Sequence, residues 1–129
     1  MIWFSSNANT EYLTERLGLD AINANLTELN LPQHDQLYPL VSSLFLYSTT
    51  DKATLTKRLT LTASDYASEI AAIHTRLKAD SNGAYRQTFI SPDMTLQKLW
   101  SDRLVAATAD ECAGITQKIQ SRAYYSPAV

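Results

Sequence analysis

One stretch of the sequence, residues 62–80, constrains the fold more than any other. Its larger apolar side chains recur every three or four residues, at Tyr66, Ile70, Ile73 and Leu77. This spacing places them on one stripe of a helix. Thr62, three residues before Asp65, predicts the start of that helix, and the positive-φ tolerance of Asn82-Gly83 predicts its end. A helix of about five turns with one apolar stripe must bury it, so we expect the rest of the chain to pack around residues 62–80.

Length and composition favour one globular domain. A chain of 129 residues of which 45% are hydrophobic can bury a core of its own, and we predict a single helical domain over residues 1–129. With a net charge of -2, the chain lacks the excess of basic residues expected of a dedicated nucleic-acid binder. No apolar run approaches the roughly 20 residues of a membrane span, and the first ten residues lack the basic region of a secretory signal. With Cys112 as the sole cysteine, we predict a cytoplasmic protein.

Capping and turn signals divide the rest of the chain into further helices. The fold class is therefore predicted as mainly α, a bundle of about six or seven helical segments. In addition to the central helix, these segments are predicted near residues 10–17, 20–29, 39–48, 51–59, 91–104 and 108–119. Residues 85–90, YRQTFI, are the best strand candidate and are expected to pair with residues 1–4 if a small two-stranded β pair forms.

Three details of these helices can be checked directly. In the first helix, Tyr12, Leu13 and Leu17 are expected to face inward, and Asp20 is expected to cap the second. Thr108 and Glu111 form the pattern T-x-x-E, which predicts a capping box at the last helix. The helix over residues 39–48 is apolar nearly all round, so we expect it to be either well buried or partly exposed as an interface.

Residues 11–29 resemble a helix-turn-helix DNA-binding motif around the turn at Leu17, Gly18 and Leu19. The resemblance implies that the second helix enters the major groove of DNA, where Asn23 and Asn25 could read an adenine edge. That helix carries no Lys or Arg, however, and its apolar stripe falls on Ile22, Leu26 and Leu29 rather than where the motif places it. We therefore keep a small DNA-binding regulator as an alternative to the leading hypothesis.

Residue types with catalytic potential are few. Three glycines, far apart in sequence, cannot form a phosphate-binding loop. His34 stands beside Asp35 in a polar segment, and His74 borders the apolar stripe of the central helix, where a satisfied boundary histidine is the expected state. Cys112 falls on an apolar helix face and is expected to be a core thiol. We predict no catalytic residue, no cofactor and no metal site, and a helical ligand-binding protein or enzyme using these residues remains a further alternative.

The leading hypothesis is a non-enzymatic interaction protein, such as an adaptor, an assembly subunit or an inhibitor. Aromatic residues at both chain ends and on the apolar helix are suited to contacts between proteins. The predicted interaction residues are Trp3, Phe4, Phe45, Tyr47, Tyr124 and Tyr125. We expect a protein partner or self-association, and neither nucleic acid nor membrane as the partner.

Overall fold

The structure, a computed structural model, describes residues 7–121 and the side chains from residue 9 onward. Within that range it contains seven α-helices and one 3-10 turn, which confirms the mainly α prediction. The helices are α1 (Asn7–Leu17), α2 (Leu19–Glu28), α3 (Leu40–Leu46), α4 (Lys52–Leu59), α5 (Ala63–Ala79), α6 (Met94–Ser101) and α7 (Ala109–Gln120). None of these helices is long and apolar enough to cross a bilayer.

Helix α5 is the central element, as its sequence pattern predicts. The Thr62 hydroxyl accepts a hydrogen bond from the Asp65 backbone N–H at 3.1 Å and so caps the first turn. The stripe residues Ile70, Ile73 and Leu77 are all buried. They join Leu46, Tyr47, Leu55 and Leu96 in one hydrophobic core. After the helix, Gly83 takes a φ of 76°, a backbone conformation that suits glycine and redirects the chain.

Helix α3 was predicted to be either well buried or partly exposed as an interface, and the structure shows it packed into the protein. It packs mainly against α5, and Ser42, Ser43 and Leu46 are buried. Its remaining apolar residues are half-buried. For example, the centroid of the Phe45 ring lies 5.1 Å from the centroid of the Phe89 ring. Because neighbouring elements cover α3 on several sides, its apolar side chains are not left exposed to water.

The predicted strand at residues 85–90 is wrong, because Arg86–Thr88 forms a 3-10 turn and residues 7–121 contain no strand. The cause is the Asp80 carboxylate, which is buried and accepts hydrogen bonds from the backbone N–H groups of Tyr85 and Arg86 at 3.0 and 2.9 Å. These contacts turn the chain just after α5 and override the β preference of the side chains. The other half of the proposed pair, residues 1–4, lies outside the described residues.

The pKa of the Asp80 carboxyl reflects the same contacts. Burial by itself would raise this pKa, but the two backbone donors and the nearby Arg86 guanidinium outweigh burial and hold it below its usual value. The ionised carboxylate is therefore the form that holds the turn.

Three predicted helix starts, at residues 51, 62 and 108, are confirmed by capping contacts. At α7, the Thr108 hydroxyl accepts from the Glu111 N–H at 3.2 Å while the Glu111 carboxylate accepts from the Thr108 N–H at 3.1 Å. The predicted cap of α2 is wrong by two residues: Gly18, with a φ of 85°, is the residue before the helix, and Asp20 lies inside its first turn. The left-handed backbone at Gly18 lets the chain turn directly from α1 into α2 without a side-chain cap.

Helix α7 is tied to the segment that follows α2. The Lys118 ammonium donates to the Leu29 carbonyl oxygen at 3.0 Å, and the Gln33 N–H donates to the Glu111 carboxylate at 2.9 Å. Nearby, the Asp35 N–H donates to the Ala106 carbonyl oxygen at 2.9 Å. These bonds hold the loop of residues 31–39 against the loop before α7.

Candidate functional site

Helix α1 turns its polar side toward the body of the protein. Glu11 and Thr14 are half-buried, whereas Tyr12, Leu13 and Leu17 are exposed by 59%, 37% and 64%. The prediction that these three apolar residues face inward is therefore wrong. We call Tyr12, Leu13 and Leu17 the α1 face.

The reason for this orientation is the set of contacts that Glu11 makes. One of its carboxylate oxygens accepts a hydrogen bond from the Val41 N–H at 3.1 Å, and the other lies 3.3 Å from His74 Nδ1. The Val41 N–H belongs to the first turn of α3, where backbone amides lack partners within the helix and favour an anion. Satisfying that amide through Glu11 fixes α1 with its polar side inward.

His74 links α1, α3 and α5. The Ser42 hydroxyl oxygen lies 3.3 Å from His74 Nδ1, and the Glu15 carboxylate lies 3.5 Å from His74 Nε2. Lys78, one turn further along α5, approaches the same Glu15 carboxylate at 3.6 Å. Both ring nitrogens of His74 thus have neighbours, in agreement with the expected boundary histidine.

This cluster differs from a serine nucleophile activated by histidine. In such a site, serine contacts one ring nitrogen and a carboxylate orients the other. Here Ser42 and Glu11 approach the same nitrogen, Glu15 approaches the second, and the Ser42 side chain is fully buried. The geometry is suited to holding α1 in place and not to presenting a hydroxyl to a substrate.

The remaining reactive residues lie in other surroundings. His34 is half-buried, and its Nδ1 lies 2.7 Å from the Asp35 backbone oxygen. Cys112 is exposed, so the predicted core thiol is wrong: α7 turns Gly114 and Ile115 inward instead. Among the described residues, no three His, Cys, Asp or Glu side chains are grouped so that they could hold a metal ion.

Of the six predicted interaction residues, the structure describes Phe45 and Tyr47, and neither belongs to the α1 face. Tyr47 is 1% exposed and its ring stacks on Trp100, so it lies in the hydrophobic core. Phe45 is half-buried between Tyr85 and Phe89. Trp3, Phe4, Tyr124 and Tyr125 lie outside the described residues.

The helix-turn-helix resemblance covers two helices that do pack against each other across Gly18. The two asparagines proposed to read DNA are, however, bonded to their own chain. The Asn23 side chain accepts from the Leu37 N–H at 2.7 Å and donates to the Leu37 carbonyl oxygen at 3.0 Å, and Asn25 donates to the Ala21 carbonyl oxygen at 2.7 Å. Asn23 therefore holds the loop after α2.

No protein-family model matches the sequence, and comparisons with curated proteins and with solved structures give no significant match.

Proposed function

We propose that this protein is a non-enzymatic, cytoplasmic interaction module, such as an adaptor, an assembly subunit or an inhibitor, which binds another protein through the α1 face. The observation that supports this proposal is the outward orientation of Tyr12, Leu13 and Leu17. Contiguous exposed apolar side chains on a folded protein are typical of binding surfaces. Tyr in particular combines a large apolar ring with a polar hydroxyl and is enriched at interfaces.

The size of the α1 face favours a groove on the partner. Helix α1 has 11 residues, which gives a length of about 16 Å. Three side chains over that length offer less than the roughly 800 Å² that each side of a stable, flat interface contributes. A hydrophobic groove can enclose a helix and bury more of its surface. We therefore propose a partner with an apolar groove that receives α1.

The surroundings of the α1 face fit the same mode of binding. Glu15 and Arg16 are exposed on the same helix. Arg16, four residues after Tyr12 and three after Leu13, lies among the side chains of the face, where Arg is favoured at interfaces. Glu11 already fixes the helix to α3 through the Val41 N–H. Because α1 is held before it meets the partner, binding avoids most of the entropy cost of ordering a free segment.

The test uses a double variant, Leu13→Gln with Leu17→Gln, and a matched control, Met94→Gln with Ile119→Gln. Both pairs are exposed apolar residues on helices, and glutamine keeps the helix propensity high. Tagged proteins would be used to isolate a stoichiometric partner from the native host, and the purified partner would then be titrated calorimetrically. We expect the α1 variant to bind at least about tenfold more weakly than the wild type, and the control to bind normally.

Three results would overturn the proposal. One is unchanged affinity of the partner for the α1 variant. Another is a monodisperse monomer that binds no host protein. The third is a concentration-dependent dimer in sedimentation that the α1 variant abolishes, because this would show that a second copy of the chain occupies the face.

A further inference from the structure

A separate cleft of about 400 Å³ opens between α4, the start of α5 and the loops at residues 35–38 and 102–105. Its wall combines rings and aliphatic side chains, among them the exposed Leu104 and Val105, with charged side chains. The volume falls within the range of small-molecule sites, which are concave, mostly apolar and contain a few polar groups.

The aromatic wall is already packed in the free protein. The rings of Tyr38 and Tyr66 lie 5.0 Å apart in an edge-to-face arrangement, and Tyr47 behind them stacks on Trp100 at 5.6 Å. Burial, with a smaller effect of the neighbouring Tyr66, raises the pKa of Tyr47 well above its usual range. The rings of Tyr38 and Tyr66, with Tyr47 behind them, therefore form a packed aromatic wall against which a flat molecule can lie.

Two guanidinium groups stand at the α4 end of this cleft. Arg58 Nη1 donates to the Leu46 carbonyl oxygen at 2.7 Å, and Arg103 Nη2 donates to the carbonyl oxygen of Leu59, the residue after Arg58. Those carbonyls belong to the last turns of α3 and α4, where helix dipoles favour cations. Each guanidinium has five N–H donors, so donors remain for a ligand.

Within the described part of the chain, neither guanidinium forms an ion pair with a carboxylate. The ion pairs within residues 9–121 involve His74, Lys78 and Arg86, and none involves Arg58 or Arg103. Asp35 and Asp102 also line the cleft, but a carboxylate oxygen of Asp35 already accepts from the Ala106 N–H at 3.0 Å. The lining thus holds two guanidinium groups and two carboxylates, and the guanidinium groups keep N–H donors for an oxyanion.

We propose that this cleft binds a small aromatic acid, with its ring against Tyr38 and Tyr66 and its carboxylate or phosphate facing Arg58 and Arg103. The guanidinium fork matches the planar geometry of such oxyanions and forms charge-assisted hydrogen bonds with them. This site does not depend on the α1 face or on a protein partner.

The first experiment titrates the ¹⁵N-labelled wild-type protein with four probes of similar size. Benzoate and phenyl phosphate carry the acid, benzyl alcohol is neutral, and benzylamine carries the opposite charge. We expect amide shifts around residues 58–66 and 102–106, with an acid-probe Kd on the order of 1 mM and binding at least about tenfold tighter than that of benzyl alcohol. The stronger of the two acids identifies whether a carboxylate or a phosphate is preferred.

The second experiment compares Arg103→Gln with Lys57→Gln. Lys57 is exposed on α4 outside the cleft lining, so its variant removes the same charge without touching the site. We expect Arg103→Gln to lose the preference for acids while it still binds benzyl alcohol, which also shows that the cleft remains folded. Lys57→Gln should keep the wild-type preference.

The proposal is overturned if benzylamine binds as tightly as benzoate, or if no amide of the cleft shifts with either acid. It is also overturned if the two variants change acid binding equally. The probe series on the wild type decides the question by itself if Arg103→Gln fails to fold.

Discussion

Helix α3 is held on two sides by contacts of opposite character. Toward α5 it contributes Leu46 to the hydrophobic core together with Ile70, Ile73 and Leu77. Toward α1 its partner is a carboxylate, which accepts from the Val41 N–H. Burial of apolar area supplies stability with little directional preference, whereas a charged hydrogen bond depends on one geometry. Helix α1 is therefore fixed to α3 through its polar side, and its apolar side faces outward.

The largest loss of stability is expected when a residue of the hydrophobic core is truncated. Leu55 is 0% exposed within the core, and Leu55→Ala should lower the free energy of unfolding by about 2–5 kcal/mol because a cavity is left behind. Urea unfolding followed by circular dichroism measures this loss. Leu17→Ala, which removes the same atoms from the α1 face, is the control, and an equal loss in both variants would contradict the burial described above.

A smaller loss is expected at the turn after α5. Asp80→Asn removes the anion that accepts from the Tyr85 and Arg86 N–H groups, so the variant should be less stable at neutral pH. Since the folded-state pKa of Asp80 lies below its ordinary value of 3.8, the wild-type advantage is present above that pH and is lost as the pH falls through the folded value. Urea unfolding of both proteins between neutral pH and pH 2 tests this sign. An advantage that grew on acidification would refute the role of the ionised carboxylate.

The contact between the Glu11 carboxylate and the first turn of α3 is tested by removing that carboxylate. Glu11→Ala should reduce the opening free energy of α1 by about 1–2 kcal/mol, since the Val41 N–H and His74 lose a charged partner. Native-state hydrogen exchange of α1 amides reports this opening, and amides of α5 should keep their protection. Glu15→Ala is the matched control, because its more exposed carboxylate should contribute less. Equal loss of protection in α5 would show that α1 does not open separately.

The smallest effect is expected on the α1 face itself. Leu17→Gln should change the free energy of unfolding by less than about 0.5 kcal/mol, because the side chain is largely in water already. Thermal or urea unfolding measures it. A large destabilisation would mean that Leu17 packs within the folded chain, and it would remove the main support for the interaction proposal.

Local patterns in the sequence were sufficient to predict the helical elements. The Thr62 cap, the apolar stripe of α5 and the Thr108–Glu111 capping box depend on residues within a few positions of each other. Such contacts form wherever the local sequence allows a helix, so their pattern is readable without a structure.

Contacts that the helix patterns do not report account for the errors at α1 and at residues 85–90. An apolar stripe on α1 indicates an apolar side but not what covers it, and the deciding contact joins Glu11 to Val41, far along the chain. The preference of residues 85–90 for a strand was overridden by the Asp80 carboxylate. The cleft was not foreseen because it depends on a distant contact: the Arg103 guanidinium donates to the Leu59 carbonyl oxygen, 44 positions away in the sequence.

The contact between Asp35 and Ala106 also has a consequence for the order of folding. It spans 71 positions, whereas the contact between Ser42 on α3 and His74 on α5 spans 32. Closing a longer loop costs more chain entropy, and distant contacts form more slowly. We therefore expect the pair of α3 and α5 to assemble early and the wall of the cleft to close late, so that a refolding chain acquires its core before it acquires a site for a ligand.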